Sequence, residues 1–473
     1  MRKRTKIVAT ISDRNCSPEL IKEMFDNGMN AVRLNTAHQN FEGSKKVIEN
    51  VRKVSDKIAI IIDTKGPEIR TVALKNALEL KTGDTIKIKG WNGEVLAEDC
   101  VFVTYPDFVK EMEIGKHLLI DDGEIDLEVI DKKDDYLLCK ACNDGTIQDH
   151  KSVNVPGVSI DLPALTPKDI DYINFAIENE IDFIAHSFVR KKEDVIAVKS
   201  LLESQGSKIK IIAKIENQEG VNNIDEILKY AYGIMVARGD LALEIPAEKI
   251  PGVQKMIINK CIEARKPVIV ATQMLHSMIV HPRPTRAEIS DVANAVYDGA
   301  DSLMLSGETA YGKYPLESLK MMTKIAKEVE ASTDTFKDIP PLTLSTPEAA
   351  VLTKFIVEAT EQLPVRAIVA DTTSGRTIRG IAAYRGPVTT YAQCYDKNTM
   401  RQLAISYGVY VDYIKPQTTT HDFLNAALQN LVNKRTFDKK NTIAVLAGNF
   451  GRGKGASYIE IASVEDLMRE SEN

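Results

Sequence analysis

The sequence predicts an α/β fold: a (β/α)₈ TIM barrel with an inserted all-β lid domain and a C-terminal α/β domain. Short β-rich apolar runs recur along the chain, and each is followed by a stretch with helical spacing, which is typical of parallel α/β architecture. Polar residues follow nearly all of these runs. At 473 residues the chain is also too long for a domain with one compact core, and its length is typical of about three domains.

Eight apolar runs make up the predicted barrel, and eight is the number that closes such a barrel. They are Lys6–Ile11, Ala31–Asn35, Ile58–Lys65, Phe183–Val189, Lys210–Glu216, Gly233–Gly239, Pro267–Gln273 and Ser302–Glu308. We therefore assign residues 1–70 and 162–337 to the barrel domain.

The alternation stops between the third and fourth runs, so residues 71–161 are predicted to form an inserted all-β domain. Turn sequences separate its strand-like pieces, among them Thr85–Lys89, His117–Ile120 and Tyr136–Cys139. Because the insertion follows the C-terminal end of a barrel strand, we expect it to overhang the active site as a lid.

A Pro-rich stretch over 338–347 is predicted to be a linker to a third domain, residues 345–473. Alternation of strand-like and helical stretches resumes there. Its strand-like runs are Arg366–Ala370, Thr389–Cys394, Tyr410–Ile414 and Thr442–Leu446.

Composition excludes several classes of function. The formal net charge of −6 argues against a protein whose whole surface binds nucleic acid or anionic membrane. No apolar run approaches the ~20 residues of a membrane span, and no apolar region of signal-peptide length follows the basic start. We expect a cytoplasmic protein with neither nucleic-acid nor membrane partners.

The six cysteines are scattered along the chain, so a disulfide framework is not expected. Cys139 and Cys142 form one CxxC pair, with no second pair and no histidine at ligand spacing. An ordinary strand is therefore favoured over a zinc site.

Polar residues gather at the C-terminal ends of the barrel runs, where the active site of such a barrel lies. Strands that simply emerge into solvent would explain one or two such ends, but not nearly all of them. The residues are Arg33, Asn35, Asp63, Thr64, Ser187, Arg190, Lys214, Glu216, Arg238, Asp240, Thr272, Gln273, Ser306 and Glu308.

Lys214 and Glu216 lie on the same side of one strand because side chains alternate along it. Glu216 and Asp240 end successive runs and could share a divalent cation such as Mg²⁺ or Mn²⁺, since hard cations favour carboxylate oxygens. A purely structural Lys–Glu pair is the alternative. Gly239, in a common Arg-Gly-Asp loop string, would let the backbone approach an anionic ligand closely.

Arg33 and Arg70 follow adjacent strands and could each bind a phosphate through two parallel guanidinium N–H groups. Lone arginines at the ends of strands, however, are often solvated. Asn35, Asp63 and Thr64 supply oxygen ligands for a further hard cation, with a capping or turn role as the alternative.

Thr272 could relay a proton at the barrel mouth, or could simply bond to backbone in a buried position. His38 is a candidate acid–base group, or a loop histidine that orders its neighbours. The barrel mouth is thus predicted to be a metal-assisted site for an anionic, phosphorylated substrate.

An ordered set of motifs covers nearly the whole barrel, and this set resembles the pyruvate kinase family. The matching strings are Thr5–Thr10, Arg33–His38, Asp63–Arg70, Leu162–Thr166, Ser187–Arg190, Ala213–Glu216, Met235–Leu241, Ala271–Met274, Pro284–Glu288 and Met304–Thr309. The match in the last domain is weaker.

The resemblance implies transfer of a phosphoryl group from phosphoenolpyruvate to ADP, giving pyruvate and ATP in the last step of glycolysis. Lys214 would stabilise the charge on the phosphoryl group and the enolate, and Arg33 would bind the phosphoryl group. Glu216 and Asp240 would hold Mg²⁺ (or Mn²⁺), and Gly239, Asp240 and Thr272 would bind the substrate carboxylate.

By the same resemblance, Thr272 would help to protonate the enolate through Ser306, Glu308 and water. Arg70, Asn35 and His38 would contact the nucleotide, ATP or ADP.

The family also uses a monovalent cation, usually K⁺, whose ligands would map to Asn35, Asp63, Thr64 and a serine just before the histidine. That serine is replaced here by Ala37, and Thr36 stands where phenylalanine is usual. Glu68 matches the members that require potassium. We therefore expect activation by potassium at an altered or weakened site.

In the last domain the resemblance implies an effector site, often for a sugar phosphate. Hydroxyls and free N–H groups at a helix start make a phosphate cradle, although an ordinary turn is the alternative. The residues are Thr372, Thr373, Ser374, Gly375, Arg376 and Thr377, with the glycine-rich, basic loop 448–455 as a second element. The family is usually a homotetramer, and we expect the same here.

Two other functions are alternatives to the phosphoryl transfer that the resemblance implies. A lyase or aldolase acting on pyruvate enolate would also use a barrel, a divalent metal and paired carboxylates, but Lys214 and the large β insert weigh against it. A catalytically inactive metabolite sensor is disfavoured because the catalytic residues are all present. A coupled assay for ATP from phosphoenolpyruvate and ADP separates these alternatives.

Overall fold

The chain begins with three parallel strands joined by two helices, in a computed structural model that describes residues 2–74, 76–93, 100–332, 336–342, 346–448 and 455–469. Strands β1 and β3 are buried along their whole length, as in sheets covered on both faces. The elements are β1 (Lys6–Thr10), α1 (Pro18–Asp26), β2 (Ala31–Asn35), α2 (Phe41–Val54) and β3 (Ala59–Asp63).

The next part of the chain leaves the barrel and forms mostly antiparallel strands around a hydrophobic core of its own. The elements are β4 (Thr71–Val72), β5 (Leu78–Leu80), β6 (Thr85–Gly90), β7 (Cys100–Val103), α3 (Phe108–Glu111), β8 (His117–Ile120), β9 (Ile125–Lys132), β10 (Leu137–Ala141), β11 (Gly145–Ile147) and β12 (Val153–Asn154). Seven strands pair in the order β12-β8-β9-β10-β6-β7-β4, and β11 pairs with β5.

The chain then returns to the barrel, where strands and helices alternate again. The strands are β13 (Phe183–His186), β14 (Lys210–Ile215), β15 (Gly233–Ala237), β16 (Val268–Ala271) and β17 (Ser302–Leu305). The helices are α4 (Pro167–Glu178), α5 (Lys192–Ser204), α6 (Gln218–Asn222), α7 (Ile224–Tyr230), α8 (Arg238–Glu244), α9 (Ile250–Glu263), α10 (Arg286–Asp298), α11 (Gly307–Ala310) and α12 (Pro315–Ser332), with 3₁₀ turns at Ala247–Lys249 and His276–Ile279.

The eight parallel strands close a barrel in the order β1-β17-β16-β15-β14-β13-β3-β2, which confirms the predicted fold class. Every strand begins within one residue of its predicted run, but most end one to three residues earlier. The reason is that polar residues after the strands leave the hydrogen-bonded ladder and enter the loops that build the site.

The last part of the chain forms a five-stranded sheet flanked by helices. Its strand order is β20-β19-β18-β21-β22, and only β22, which sequence reasoning did not predict, is antiparallel. The elements are α13 (Pro347–Gln362), β18 (Ala367–Thr372), α14 (Arg376–Ala383), β19 (Thr389–Cys394), α15 (Lys397–Leu403), β20 (Val409–Tyr413), α16 (Thr420–Asn433), β21 (Thr442–Gly448), β22 (Ala456–Ser463) and α17 (Val464–Arg469). Residues 343–345 of the predicted linker and 449–454 of the predicted basic loop lie outside the described residues.

This last sheet packs against the amino-terminal end of the barrel, opposite the site. Ala404 and Ile405 join the apolar cluster inside the barrel, and Ser302 Oγ donates to the Ile405 carbonyl over 2.9 Å. Buried Arg385 donates to Asp301 Oδ2 over 2.6 Å. Because a buried charge needs a partner, this ion pair fixes how the two parts meet. No helix among the described residues is long and apolar enough to cross a membrane.

Candidate active site

A buried ammonium lies at the centre of the barrel mouth. Lys214 Nζ is 3.0 Å from Asp63 Oδ1 and 2.9 Å from Glu216 Oε1, and it donates to Ser187 Oγ over 2.6 Å. Burial alone would lower the pKa of Lys214, but Asp63 and Glu216 outweigh it and raise this pKa above its ordinary value. Lys214 is therefore a fixed positive charge in a site that is almost closed to water.

Arg33 adds a second cation to the same cluster. Its Nε donates to Asp63 Oδ2 over 2.6 Å, and its NH1 donates to Thr10 Oγ1 over 3.3 Å. Burial acts to raise the pKa of Asp63, but Arg33 and Lys214 overcome it and hold this pKa below its usual range. Asp63 is thus an ionised bridge that holds two cations side by side, a geometry suited to a phosphoryl group.

Glu216 and Asp240 form a pair of carboxylates beside Lys214. Burial raises the pKa of Glu216 to about 7, against the ion pair with Lys214, and Asp240 adds to the rise. Burial likewise raises the pKa of Asp240, and Asp122 and Glu68 contribute. One buried and one half-buried carboxylate with this surplus of negative charge are a donor set that fits a hard divalent cation.

The loop after β16 is held in a strained conformation next to these carboxylates. Thr272 has a φ of 69°, which is costly for a β-branched residue, about 1–3 kcal/mol. Arg238 NH2 donates to the Thr272 carbonyl over 2.7 Å, and the Gly239 amide donates to Thr272 Oγ1 over 2.8 Å. These contacts hold the Thr272 hydroxyl at the first turn of α8, which carries Asp240.

Ser306 and Glu308, at the end of β17, have different surroundings. Glu308 is buried and accepts the Leu275 amide over 3.0 Å and the Ser306 amide over 2.8 Å. Its carboxylate therefore joins the loops after β16 and β17. Ser306 Oγ is buried, and the described residues offer its hydroxyl no hydrogen-bond partner. This hydroxyl is free to bind substrate or water.

The predicted monovalent-cation ligands lie at the ends of β2 and β3, but several are already engaged. Asn35 Oδ1 accepts the Ala37 amide over 3.1 Å, and Thr64 Oγ1 donates to the Ala185 carbonyl over 3.3 Å. The Thr36 hydroxyl donates to the Asp63 carbonyl over 2.9 Å, and Ala37 itself is exposed. The proton of the Thr36 hydroxyl thus points toward the Asp63 carbonyl.

Arg70 and His38 stand at the edge of the site. Arg70 binds Glu68 through Nε at 2.8 Å and NH2 at 2.7 Å, and donates from NH1 to the His150 carbonyl over 2.7 Å. His38 is exposed and contributes no buried acid–base group. Of the two, only Arg70 is among the residues that line the cleft beside the site.

That cleft has a volume of about 830 Å³ and lies between the barrel mouth and the inserted β domain. Its walls include Glu216 and Asp240 from the barrel and Asp122 and Lys151 from the insert. The site therefore opens toward the insert.

Two residues of the site were not assigned a role from the sequence. The sequence places Arg238 only among the polar strand ends, yet its side chain donates to the Thr272 carbonyl and also to Asp291 Oδ1 over 2.7 Å. Glu244, in α8, lies in the cleft wall. Burial raises the pKa of Glu244 to about 7, whereas a hydrogen bond donated by Asn154 of the insert acts to lower this pKa. Neither follows a recognisable local signal, since their partners are distant in sequence.

The predicted effector residues lie together at a β-to-α turn far from the barrel mouth. The Gly375 amide donates to Thr372 Oγ1 over 2.8 Å, and Gly375 has a φ of 76°. The side chains of Thr373, Ser374 and Arg376 are exposed. The turn follows β18, where the strand order reverses between β19 and β21, the usual position of a ligand crevice in an open α/β sheet.

Comparison with known proteins agrees with this geometry. Residues 2–319 match the family described as "Pyruvate kinase, barrel domain", and residues 351–462 match "Pyruvate kinase, alpha/beta domain". A protein of Borreliella burgdorferi named "Pyruvate kinase" is 47% identical over 99% of this chain and 98% of its own length. Proteins of the same name from Staphylococcus saprophyticus and Geobacillus stearothermophilus are 43% and 41% identical, over 94% and 100% of this chain and 78% and 82% of their own lengths.

The raised pKa of Glu216 predicts a pH-dependent divalent-cation affinity. A carboxylate must lose its proton to ligate a metal, so protons compete with the metal below a pKa of about 7. We expect the affinity for Mn²⁺, measured from the electron paramagnetic resonance signal of the free ion, to fall about tenfold between about pH 8 and about pH 6. The variant Glu216→Gln should bind more weakly at both pH values and lose most of this dependence. Equal affinity of the unmodified protein at both would contradict the prediction.

Proposed function

The chain belongs to the pyruvate kinase family, and from this premise we propose that the barrel-mouth cluster around Lys214 carries out its reaction. The enzyme is a phosphotransferase that moves the phosphoryl group of phosphoenolpyruvate to ADP, giving pyruvate and ATP in the last step of glycolysis. The single observation that supports the site most strongly is the buried Lys214 ammonium held between Asp63 and Glu216.

Lys214 and Arg33 bind the phosphoryl group in this proposal. Both cations are joined to Asp63, so they present a fixed pair of donors to the phosphoryl oxygens as negative charge moves during transfer. Since Lys214 stays protonated, it stabilises charge without exchanging a proton. The same ammonium also suits stabilisation of the enolate oxygen, which is left with negative charge when its bond to phosphorus breaks and the phosphoryl group passes to ADP.

Glu216 and Asp240 would hold the divalent cation, Mg²⁺ or Mn²⁺, that the family generally needs. When bound, this cation supplies Lewis-acid stabilisation of the substrate's oxygen charges. The carboxylate of phosphoenolpyruvate would lie at the first turn of α8, against Gly239, Asp240 and Thr272. The strained Thr272 loop keeps its hydroxyl there before substrate arrives, which avoids reorganisation during the reaction.

Proton delivery completes the reaction, because the enolate must gain a proton at its methylene carbon to become pyruvate. The Thr272 hydroxyl and the unpartnered Ser306 hydroxyl are the groups we assign to this step, with water between them. Glu308 then serves as a positioning residue, since its carboxylate is bonded to the Ser306 and Leu275 amides.

The nucleotide would enter through the cleft that Arg70 lines, and Asn35 and His38 belong to the chain at the end of β2. We assign these three residues to ADP and ATP. We also propose the division into a barrel domain (1–70 and 162–337), a lid (71–161) and a regulatory domain (345–473). The cleft between insert and barrel supports closure of the lid over bound substrate.

Removal of the Lys214 ammonium tests the assignment of the active site. We expect Lys214→Met to lower kcat by at least about 10²- to 10³-fold, because it deletes a charge aimed at the transferring group. Lys210→Met is the matched control, since Lys210 begins the same strand at the opposite end of the barrel, and it should stay within about twofold of the unmodified enzyme. A coupled assay for ATP formation measures both. Unchanged turnover in Lys214→Met would refute the mechanism.

We propose that potassium activates the enzyme through a weakened site formed by Asn35, Asp63 and Thr64. The loss of one hydroxyl ligand at Ala37 supports this.

Ala37→Ser restores that hydroxyl, so we expect it to lower the K⁺ concentration for half-maximal activation about fivefold, the effect of about 1 kcal/mol. Ala37→Gly, which adds no ligand, should leave the value unchanged. The measurement is the initial rate against KCl at constant ionic strength. Equal rates with and without K⁺ in the unmodified enzyme would contradict the proposal.

We propose that the turn Thr372–Thr377 binds a phosphorylated effector that regulates a homotetramer. The exposed side chains of Ser374 and Arg376 and the position of the turn at the strand-order reversal support a phosphate cradle.

A panel of sugar phosphates and nucleotides should contain a ligand that shifts the phosphoenolpyruvate concentration for half-maximal rate. Arg376→Ala should abolish that shift and leave the basal rate unchanged. Arg366→Ala, an exposed arginine at the other end of β18, is the control and should respond normally. A full response of Arg376→Ala to the effector would exclude this turn as its binding site. Light scattering measures the number of subunits and so tests the homotetramer.

A further inference from the structure

Three metal-ligating side chains meet on a solvent-accessible face of the inserted β domain, and none of them is among the residues that line the cleft. They are His117 in β8, Asp126 in β9 and Cys142 just after β10. One ligand atom of each lies within 4.8 Å of one from each of the others. His117 Nδ1 and Asp126 Oδ1 are 2.7 Å apart. All three side chains are reachable from solvent, since His117 is 46% exposed, Asp126 is 34% exposed and Cys142 is also exposed.

The backbone of the sheet sets this arrangement. The Cys142 amide donates to the Asp126 carbonyl over 2.8 Å, which makes the two residues opposite neighbours on adjacent strands. In the register of β8 and β9, Leu119 pairs with Asp126, so His117 is the diagonal neighbour of Asp126. Opposite and diagonal neighbours on one face of a sheet are within reach of each other's side chains. Three paired strands therefore hold the ligands.

Side-chain alternation places the three ligands on the solvent face. The residues next to them, Leu118, Leu127 and Ala141, are fully buried in the core of the insert. The structure thus presents imidazole, carboxylate and thiol together on a rigid surface. It also explains why the CxxC spacing is uninformative: Cys139 is buried in the sheet, and Cys142 gains its neighbours from other strands.

We propose that His117, Asp126 and Cys142 bind a divalent transition-metal ion, with Zn²⁺ the best fit and water completing its shell. Nitrogen and sulfur ligands with one carboxylate suit Zn²⁺ and Co²⁺, whereas Mg²⁺ prefers oxygen ligands alone. Three protein ligands with an open fourth position are a usual zinc arrangement. This site is therefore chemically distinct from the carboxylate pair of the barrel.

The position of the site links it to the cleft. His117 and Asp126 belong to the two strands of a hairpin whose tip, Asp121–Asp122, lines the cleft near Asp240. A metal bound to both strands and to Cys142 cross-links the hairpin just behind that tip.

Cobalt absorption of the full-length protein tests the site directly. Co²⁺ is added with Mg²⁺ in excess, which occupies sites made of oxygen ligands. A thiolate-to-cobalt charge-transfer band then reports cysteine ligation. All six cysteines lie in described residues and five of them are buried, so such a band reports Cys142. We expect a band that saturates at one Co²⁺ per chain and that Zn²⁺ removes.

Variants distinguish a metal site with three ligands from a cysteine that binds Co²⁺ by itself. Cys142→Ser should abolish the band, and His117→Gln and Asp126→Asn should each weaken Co²⁺ binding more than about tenfold. Asp131→Asn, which removes another exposed carboxylate of β9 paired with Lys133, should bind normally. Basal turnover of Cys142→Ser should be unchanged. Absence of the band, or equal affinity in the His117 and Asp126 variants, would overturn the proposal.

Discussion

The burial of the Lys214 ammonium is the constraint on which the site depends. An unpaired charge in the interior of a barrel is costly, so Lys214 needs both the carboxylate of Glu216, which follows its own strand β14, and that of Asp63, which ends β3 on the far side of β13. With Arg33 and Asp240 included, two cations face three carboxylates. The residual negative charge suits a divalent cation, while the cations remain aimed at an anionic substrate.

Two other charged side chains of the site bind the backbone of its loops. Arg238 holds the Thr272 carbonyl and thereby a φ of 69°, and Glu308 holds the amides of Leu275 and Ser306. Both interactions fix loops that follow strands, where flexibility would otherwise be greatest. The hydroxyls of Thr272 and Ser306 are thus positioned by groups that need not touch the substrate, which is how a site becomes preorganised.

The sequence was sufficient for features that depend on local pattern. All eight barrel strands were predicted, because buried parallel strands form short apolar runs, and Lys214, Glu216 and Asp240 were found because polar residues follow such runs. Features that depend on partners distant in sequence were not predictable. The bracing of Thr272 by Arg238, the backbone role of Glu308 and the approach of His117 to Cys142 all arise from pairing of separate strands. The antiparallel strand β22 was missed because it is a partly buried edge strand, and Glu460 interrupts its apolar run.

The last sheet has a physical connection to the barrel that bears on regulation. Arg379 lies four residues after Gly375 of the proposed effector turn, and its guanidinium lies 4.8 Å from the centre of the Tyr232 ring. Tyr232 directly precedes β15, the strand whose far end leads to Arg238 and Asp240. In the proposed regulation, a ligand bound at the turn would act on the base of this strand through one side chain. Contact alone does not couple two sites, however; the turn must have two arrangements that favour different positions of Arg379, and an effector must bind one of them more tightly. The hydrogen bond of 2.8 Å that closes the turn, from the Gly375 amide to Thr372 Oγ1, is the interaction that a bound phosphate would compete with, because both need the amides at the start of α14.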